Sequence, residues 1–426
     1  MTFHIPRRSF LLSAGAAAMA SALAGCASTP TSPKARVVVV GGGFGGATAA
    51  KYIRLWAPDI EVVLVEREGA FVSCPLSNLV LGGHERIENL TTGYDTLARR
   101  YGVRVVRDEA TAIDPEKREL RLARGDTLRY DRLILSPGID FLYDLVPGLQ
   151  TSAAQAQVLH AWKAGPQTVA LRRQLEALPD GGVYALHIPK VPYRCPPGPY
   201  ERAAQVASYF KTHKPRSKVI VLDANPDIVS KKALFLKAWS ERYPGIVDYR
   251  ANSELVTVDV SGKTIETTLE KVRADVLNVV PPQQAGKIAR VAGLAPASGR
   301  WVGVDFRSFE STTVPGIHVL GDATASAPGM PKSGFMANNH GKVAADAVVA
   351  LLQGRPVNPE PIIANTCYSF VSAEEVVHVA SVHKWSAEQK TLLPVQGAGG
   401  LSGQANALEG QYARSWAKNI WADALL

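Results

Sequence analysis

Arg36–Val40 is one arginine followed by four valines, an unbroken apolar run of the kind that forms a strand buried on both faces. Gly41-Gly42-Gly43-Phe44-Gly45-Gly46 follows at once and opens the Ala-rich helical stretch Ala47–Trp56. A second apolar run, Glu61–Val65, ends in Glu66. Strand, glycine turn, helix and strand in this order predict a βαβ unit. The same grammar returns later, with a strand over Gly182–Ile188, a helix over Tyr200–Thr212 and a strand over Val219–Asp223. Further on, Val314–Ala323 reads as a turn, a short strand and then Gly321-Asp322. Beyond Pro356 no such unit recurs, and the chain closes on Tyr412–Leu426 with Trp416 and Trp421 at near-helical spacing.

The glycine turn has the GxGxxG spacing on Gly41, Gly43 and Gly46. Gly41 permits the tight turn, Gly43 lets backbone approach a pyrophosphate, and Gly46 lets helix and strand pack closely. Phosphates belong on the helix N-terminus. Glu66, twenty residues past Gly46, is placed to accept from a ribose hydroxyl. The stretch Val314–Ala323, with Asp322, resembles the second FAD signature of flavoproteins built from two dinucleotide folds, and Asp131–Gly138 resembles their middle motif. FAD is therefore favoured over NAD. The expected fold class is α/β, a two-dinucleotide-binding-domain flavoprotein with glutathione-reductase-like Rossmann domains and a C-terminal α+β interface domain. The expected boundaries are 1–33, a signal peptide and linker; 34–150, the first segment of the FAD-binding domain; 151–275, the second Rossmann-like domain; 276–355, the second segment of the FAD-binding domain; and 356–426, the interface domain.

Where the second domain should carry its own glycine turn, the chain reads Pro189–Pro199 with five prolines and Cys195. Proline lacks the N–H groups that cradle phosphate. The fold is expected to be kept and the nicotinamide site lost.

The first residues, MTFHIPRRSFLLSAGAAAMASALAGCAS, pair Arg7 and Arg8 ahead of a 16-residue apolar stretch, Phe10–Gly25. This is a twin-arginine export pattern, and the stretch is short against the ~20 residues of a membrane-spanning helix. Two processing readings stay open: ordinary signal-peptidase cleavage, or a lipobox at Leu23–Cys26 that makes Cys26 a lipid anchor. Either way a periplasmic location is expected, with no integral membrane span. The 426 residues are 46% hydrophobic and 20% charged, with net charge +9 and no Lys/Arg block of five. Nucleic-acid binding is not expected. Four cysteines without a CxxC pair give no metal site and no haem attachment on this chain.

If Cys26 belongs to the signal region, Cys74, Cys195 and Cys367 remain, which suits a pair plus one singly committed thiol. Cys74 is eight residues beyond Glu66, a reach of at most ~29 Å, enough to meet the far end of an extended FAD. Spacing alone leaves a structural cross-link and a redox-active bridge both open. The runs VVVVGGGFGGATAAKYI, SCPLSNLVLGG, RCPPGPYERA, MPKSGFMANNHGKVAA, NTCYS and YARSWAKNI make the chain resemble the flavoprotein subunit of flavocytochrome c sulfide dehydrogenase over essentially its whole mature length.

That resemblance implies FAD bonded covalently through Cys74, a redox disulfide between Cys195 and Cys367, and Glu201 as acid/base. It implies cofactor contacts at Gly41, Gly43, Phe44, Gly45, Gly46, Glu66, Arg67, Cys74, Asn78, Ala110, Pro137, Gly138, Gly321, Asp322, Lys332, Ser333 and Gly334. It further implies a heterodimer with a c-type cytochrome subunit that carries haem c, with sulfide oxidised at the disulfide and its electrons leaving through FAD. Trp416 is an electron-transfer candidate between flavin and haem, with core packing as the other reading. Glu201 has a second reading as a carboxylate favoured by its helix dipole. His340 reads as a surface or helix-capping residue. Two rival functions stand: a sulfide:quinone oxidoreductase, against which the charged tail counts, and a non-catalytic FAD or sulfane-sulfur carrier assisting thiosulfate oxidation.

Overall fold

The computed structural model describes residues 34–297 and 299–426. The twin-arginine pair and Cys26 lie outside the described residues. In the strand Ala35–Val40, residues 37–39 are fully buried, as an unbroken apolar run requires. It pairs in parallel with Ile60–Val65 on one side and Arg132–Leu135 on the other. Arg104–Val106 extends the sheet beyond Ile60–Val65. On the opposite flank Ile317–Val319, from much later in the chain, pairs in parallel with Arg132–Leu135. The two sequence segments expected to share FAD therefore share one sheet of seven strands.

The helix after the glycine turn begins at Phe44, three residues before the expected start, because the turn's last glycines are already helical. It lies against Gly334–Leu352 at very close range. A Cβ on Gly341 would stand 2.5 Å from the Gly45 carbonyl oxygen, so only glycine fits there.

The second Rossmann-like unit is a four-stranded parallel sheet ordered Val247–Arg250, Lys218–Asp223, Val183–Ile188, Val276–Val279. Its core gathers Tyr184, Leu186, Tyr200, Phe210 and Phe235. The expected boundary at residue 275 is corrected here. Val276–Val279 completes this sheet and the chain leaves it only afterwards, because a parallel strand must return through a crossover before the sheet closes. The strands Ile139–Phe141 and Gln283–Ala285 then pair antiparallel, carrying the chain out of and back into the first unit.

The C-terminal region is α+β as expected. Three antiparallel strands, Ile362–Phe370, Val376–Ser386 and Thr391–Leu401, precede the helix Ala407–Leu425. Asn406 caps that helix by accepting from the Glu409 N–H. Polar contacts fasten its end to the first unit: Lys51 Nζ donates to the Ala422 and Leu426 carbonyls, and Tyr52 to Asp423. Among the described residues no helix is long and apolar enough to cross a membrane.

Candidate active site

One end of a cleft is bordered by Gly41, Gly43, Glu66, Arg67, Ala110, Pro137 and Gly138. The other end is bordered by Phe44, Gly45, Cys74, Asn78, Cys195, Glu201, Gly321, Asp322, Lys332, Ser333, Gly334, Cys367 and Trp416. Gly43, Ser136, Gly138, Lys163 and Arg194 line both ends and make them continuous. Of the catalytic and cofactor-binding residues read from the sequence, Gly46 alone does not line the cleft. A Cβ there would stand 1.9 Å from the Gly41 carbonyl oxygen, so its task is the close packing of turn on helix.

These residues fit an FAD. A Cβ built on Gly43 meets nothing within 4 Å, so the turn faces open space where a pyrophosphate needs backbone access. Glu66 accepts from the Gly42 N–H at 2.6 Å and the Glu68 N–H at 2.9 Å, which fixes its carboxylate beside the turn. Asp322 Oδ1 is buried and has no hydrogen-bond partner, as expected of an acceptor awaiting a polyol. Burial pushes the Asp322 carboxyl up, while Arg194 and Lys332 pull it down.

Lys332 is not a surface lysine. It is buried, its ammonium donates to the Asp322 and Thr324 carbonyls, and it lies 3.8 Å above the Trp301 ring. Burial lowers its pKa to about 8. The reading of His340 as a surface or capping residue is overturned. The ring is buried in the middle of Gly334–Leu352, 4.2 Å from the Phe309 ring, and its Nδ1 accepts from the Gly321 N–H at 3.2 Å. Burial lowers its pKa to about 3, so it stays neutral and positions the Gly321-Asp322 turn.

The three cysteines converge. Each is half-buried and carries a free thiol here, so the bridge implied for Cys195 and Cys367 is not formed, although both face the same cleft. Cys195 has φ +56°, and its N–H donates to the Lys332 carbonyl at 2.8 Å. Its carbonyl accepts from Gly198 N–H at the start of the helix Gly198–His213. The proline loop thus presents the thiol at a fixed place.

Glu201, in the first turn of that helix, is buried. Its oxygens accept from the Phe370 N–H at 2.8 Å and from Asn78 Nδ2 at 2.9 Å. Burial pushes its carboxyl above the usual range, against the pull of those bonds. Asn78 is held in turn by Arg202 Nε, which donates to its Oδ1 at 3.1 Å. Trp416 packs edge-on against Phe335 at 5.9 Å and beside Tyr368 at 5.7 Å, with a buried Nε1 that has no partner.

Two cations escaped the sequence reading. Arg194 Nη2 donates to Cys74 Sγ at 2.7 Å and to the Trp162 carbonyl. Lys231 reaches the carbonyl of Cys367 at 3.0 Å. The first stood beside Cys195 in RCPPGPYERA and was readable as a neighbour; nothing in the spacing marked the second.

In the second domain the carboxylate at the strand end is committed to neighbouring side chains. Asp223, at the end of its strand, is where a nucleotide-binding unit would hold a ribose. It accepts instead from Tyr200 at 2.8 Å, Tyr249 at 3.0 Å and Asn225 Nδ2 at 2.7 Å. Among the described residues no cluster of His, Cys, Asp and Glu is placed to hold a metal ion.

Residues 35–174 match the pyridine nucleotide-disulphide oxidoreductase family. Residues 168–281 match "Sulfide dehydrogenase (flavocytochrome c) flavoprotein chain, central", and 359–425 match "Flavocytochrome c sulphide dehydrogenase, flavin-binding". The chain is 67% identical over 45 residues to the sulfide dehydrogenase (flavocytochrome c) flavoprotein chain of Chlorobaculum thiosulfatiphilum, covering 11% of this chain and 94% of that sequence. The chain belongs to the flavocytochrome c sulfide dehydrogenase flavoprotein family. More distantly, it is 24% identical over 306 residues to the mitochondrial sulfide:quinone oxidoreductase of Dictyostelium discoideum, covering 68% of this chain and 65% of that protein. The solved sulfide:quinone oxidoreductase of Aquifex aeolicus shares the fold, with TM-score 0.76, 19% identity and coverage of 92% of this chain and 91% of that one.

Proposed function

We propose that this member of the family oxidises sulfide through a redox-active Cys195–Cys367 pair beside an FAD held by Cys74, and delivers the electrons to a c-type cytochrome subunit carrying haem c. The observation that carries this is the convergence of all three cysteines and the buried Glu201 on the cleft that also holds the glycine turn and Asp322. Hydrosulfide attacks the disulfide, and one cysteine takes the new sulfur while the other is released as a thiolate. Glu201, with its raised pKa, is suited to take the proton of the sulfur species at neutral pH. Bound FAD supplies a two-electron acceptor that can be reoxidised one electron at a time. Gly41, Gly43, Glu66 and Asp322 would hold it, His340 keeps Asp322 in place, and Lys332 puts positive charge at that end of the cleft. The twin-arginine pattern supports a periplasmic site of action, with Cys26 as the point where a lipid anchor would attach.

A second reading, electron delivery to quinone, is favoured by the fold shared with the Aquifex enzyme. Anaerobic sulfide titration distinguishes the two. The proposal expects flavin bleaching and rapid reduction of added cytochrome c, with quinone reduced slowly. Rapid reduction of quinone but not of cytochrome c supports the second reading, and no bleaching at all supports a non-catalytic carrier.

A further inference from the structure

Lys231 precedes the helix Lys232–Arg242 with φ +57°, a left-handed conformation that a side chain keeps only where its surroundings hold it. What holds it is the far end of its own side chain. The ammonium is buried and donates to Ser369 Oγ at 2.7 Å, the Cys367 carbonyl at 3.0 Å and the Val377 carbonyl at 3.1 Å. All three acceptors are neutral, and among the described residues no carboxylate lies within ion-pair distance of it. A buried cation left without an anion is costly, so a site that keeps one has a negative charge to meet. The ionisable groups facing Lys231 are Cys367 on its strand, Glu201 on the helix Gly198–His213, Cys195 on the proline loop, and Glu409 on the C-terminal helix. Glu409 is already bonded to His378 at 2.8 Å.

A second device acts directly on the Cys367 sulfur. Ser333 Oγ accepts from the Met336 N–H, so its own proton goes to Asn365 Oδ1 at 2.6 Å. That orients the Asn365 amide with Nδ2 toward Cys367 Sγ, 3.3 Å away. No hydrogen-bond donor reaches the Cys195 sulfur among the described residues.

We propose that Lys231, with Asn365, is a positioning residue that stabilises Cys367 as the leaving thiolate, so that hydrosulfide attacks Cys195 and the persulfide forms there. This rests on the reading of Cys195 and Cys367 as a redox pair. In the step, a bond forms between the sulfide sulfur and Cys195 Sγ, and the Cys195–Cys367 bond breaks. Its electron pair leaves on Cys367 Sγ, and the proton of hydrosulfide stays on the new persulfide until Glu201 takes it. The disulfide is the oxidant and no other is needed. Exchange is faster when the leaving thiol is the more acidic of the two. Burial pushes both thiols up and Glu201 raises both further, but Lys231, Asn365 and Ser333 pull Cys367 back. Cys195 is pulled back by Arg194.

The test uses the full chain with its FAD, oxidised and then treated anaerobically with one equivalent of sodium sulfide, quenched with an alkylating reagent and mapped by peptide mass. The expected result is the additional sulfur on the Cys195 peptide and an alkylated thiol at Cys367. Additional sulfur on Cys367 overturns the proposal while leaving the redox pair intact. Free thiols at both positions in the oxidised protein remove the redox pair and the proposal with it. In reduced protein, Lys231→Met should slow Cys367 alkylation at neutral pH about tenfold, one unit of thiol pKa, and Lys231→Arg should restore it. Identical pH profiles for wild type and Lys231→Met contradict the role. Should the methionine variant not fold, the sulfur's position in the wild type and the arginine variant's profile still decide.

Discussion

Arg194 Nη2 lies 2.7 Å from Cys74 Sγ, so the residue preceding one cleft cysteine holds another, 120 positions away in the chain. The thiol proposed to bond FAD is therefore fixed in place by the loop that presents Cys195. Cys74→Ala should still bind FAD through the glycine turn, Glu66 and Asp322, yet release all of it on acid denaturation. Wild-type protein should keep its flavin on the peptide containing Cys74. Flavin lost wholly to the supernatant from wild type contradicts the covalent link.

Glu201 gives a pH dependence whose sign follows from its raised pKa. A base must be deprotonated to act, and a raised pKa keeps the proton on to higher pH. Turnover at saturating sulfide should therefore fall as pH drops through a value above the ordinary carboxylate range near 4.3. Glu201→Gln should lower kcat by about 10²–10⁴-fold and remove that limb. An unchanged limb in the variant assigns it to another group.

Nicotinamide nucleotides should not reduce this flavin at a useful rate. The prolines replace the phosphate-cradling turn, and Asp223 is committed to Tyr200, Tyr249 and Asn225. Stopped-flow mixing with NADH should leave the flavin spectrum unchanged over many sulfide turnovers, and reduction at a comparable rate sinks this reading of the second domain.

Gly46→Ala would drive a methyl group into the Gly41 carbonyl oxygen, 1.9 Å from the ideal Cβ position. Relieving so close a contact must shift the turn. The expected result is a destabilisation of about 1–3 kcal/mol, the usual range for overpacking, together with loss of FAD on gel filtration. Retention of stoichiometric FAD by this variant contradicts the assigned role of the turn.

Much of the fold was legible because backbone patterns repeat at fixed spacing. The valine run, the glycine turn, Glu66 and the Gly321-Asp322 signature each carry a local rule, and the fold brings them to the border of one cleft. The boundary at 275 was not legible, since Val276–Val279 declares its sheet only by pairing with Val183–Ile188. His340 was misread because a histidine between Asn339 and Gly341 looks polar in sequence. Only the packing of Phe309 and the Gly321 N–H against it shows that it is buried. Lys231 gave no signal for the same reason: its partners Cys367, Ser369 and Val377 lie more than 130 positions away.

On the proposed mechanism, sulfide reaches the flavin only through Cys195 and Cys367. The most direct test is anaerobic stopped-flow bleaching of the flavin by sulfide in Cys195→Ser and Cys367→Ser, each shown to retain FAD and a native melting profile. Both variants should lose rapid bleaching while dithionite still reduces the flavin fully. Bleaching at the wild-type rate in either variant would contradict it.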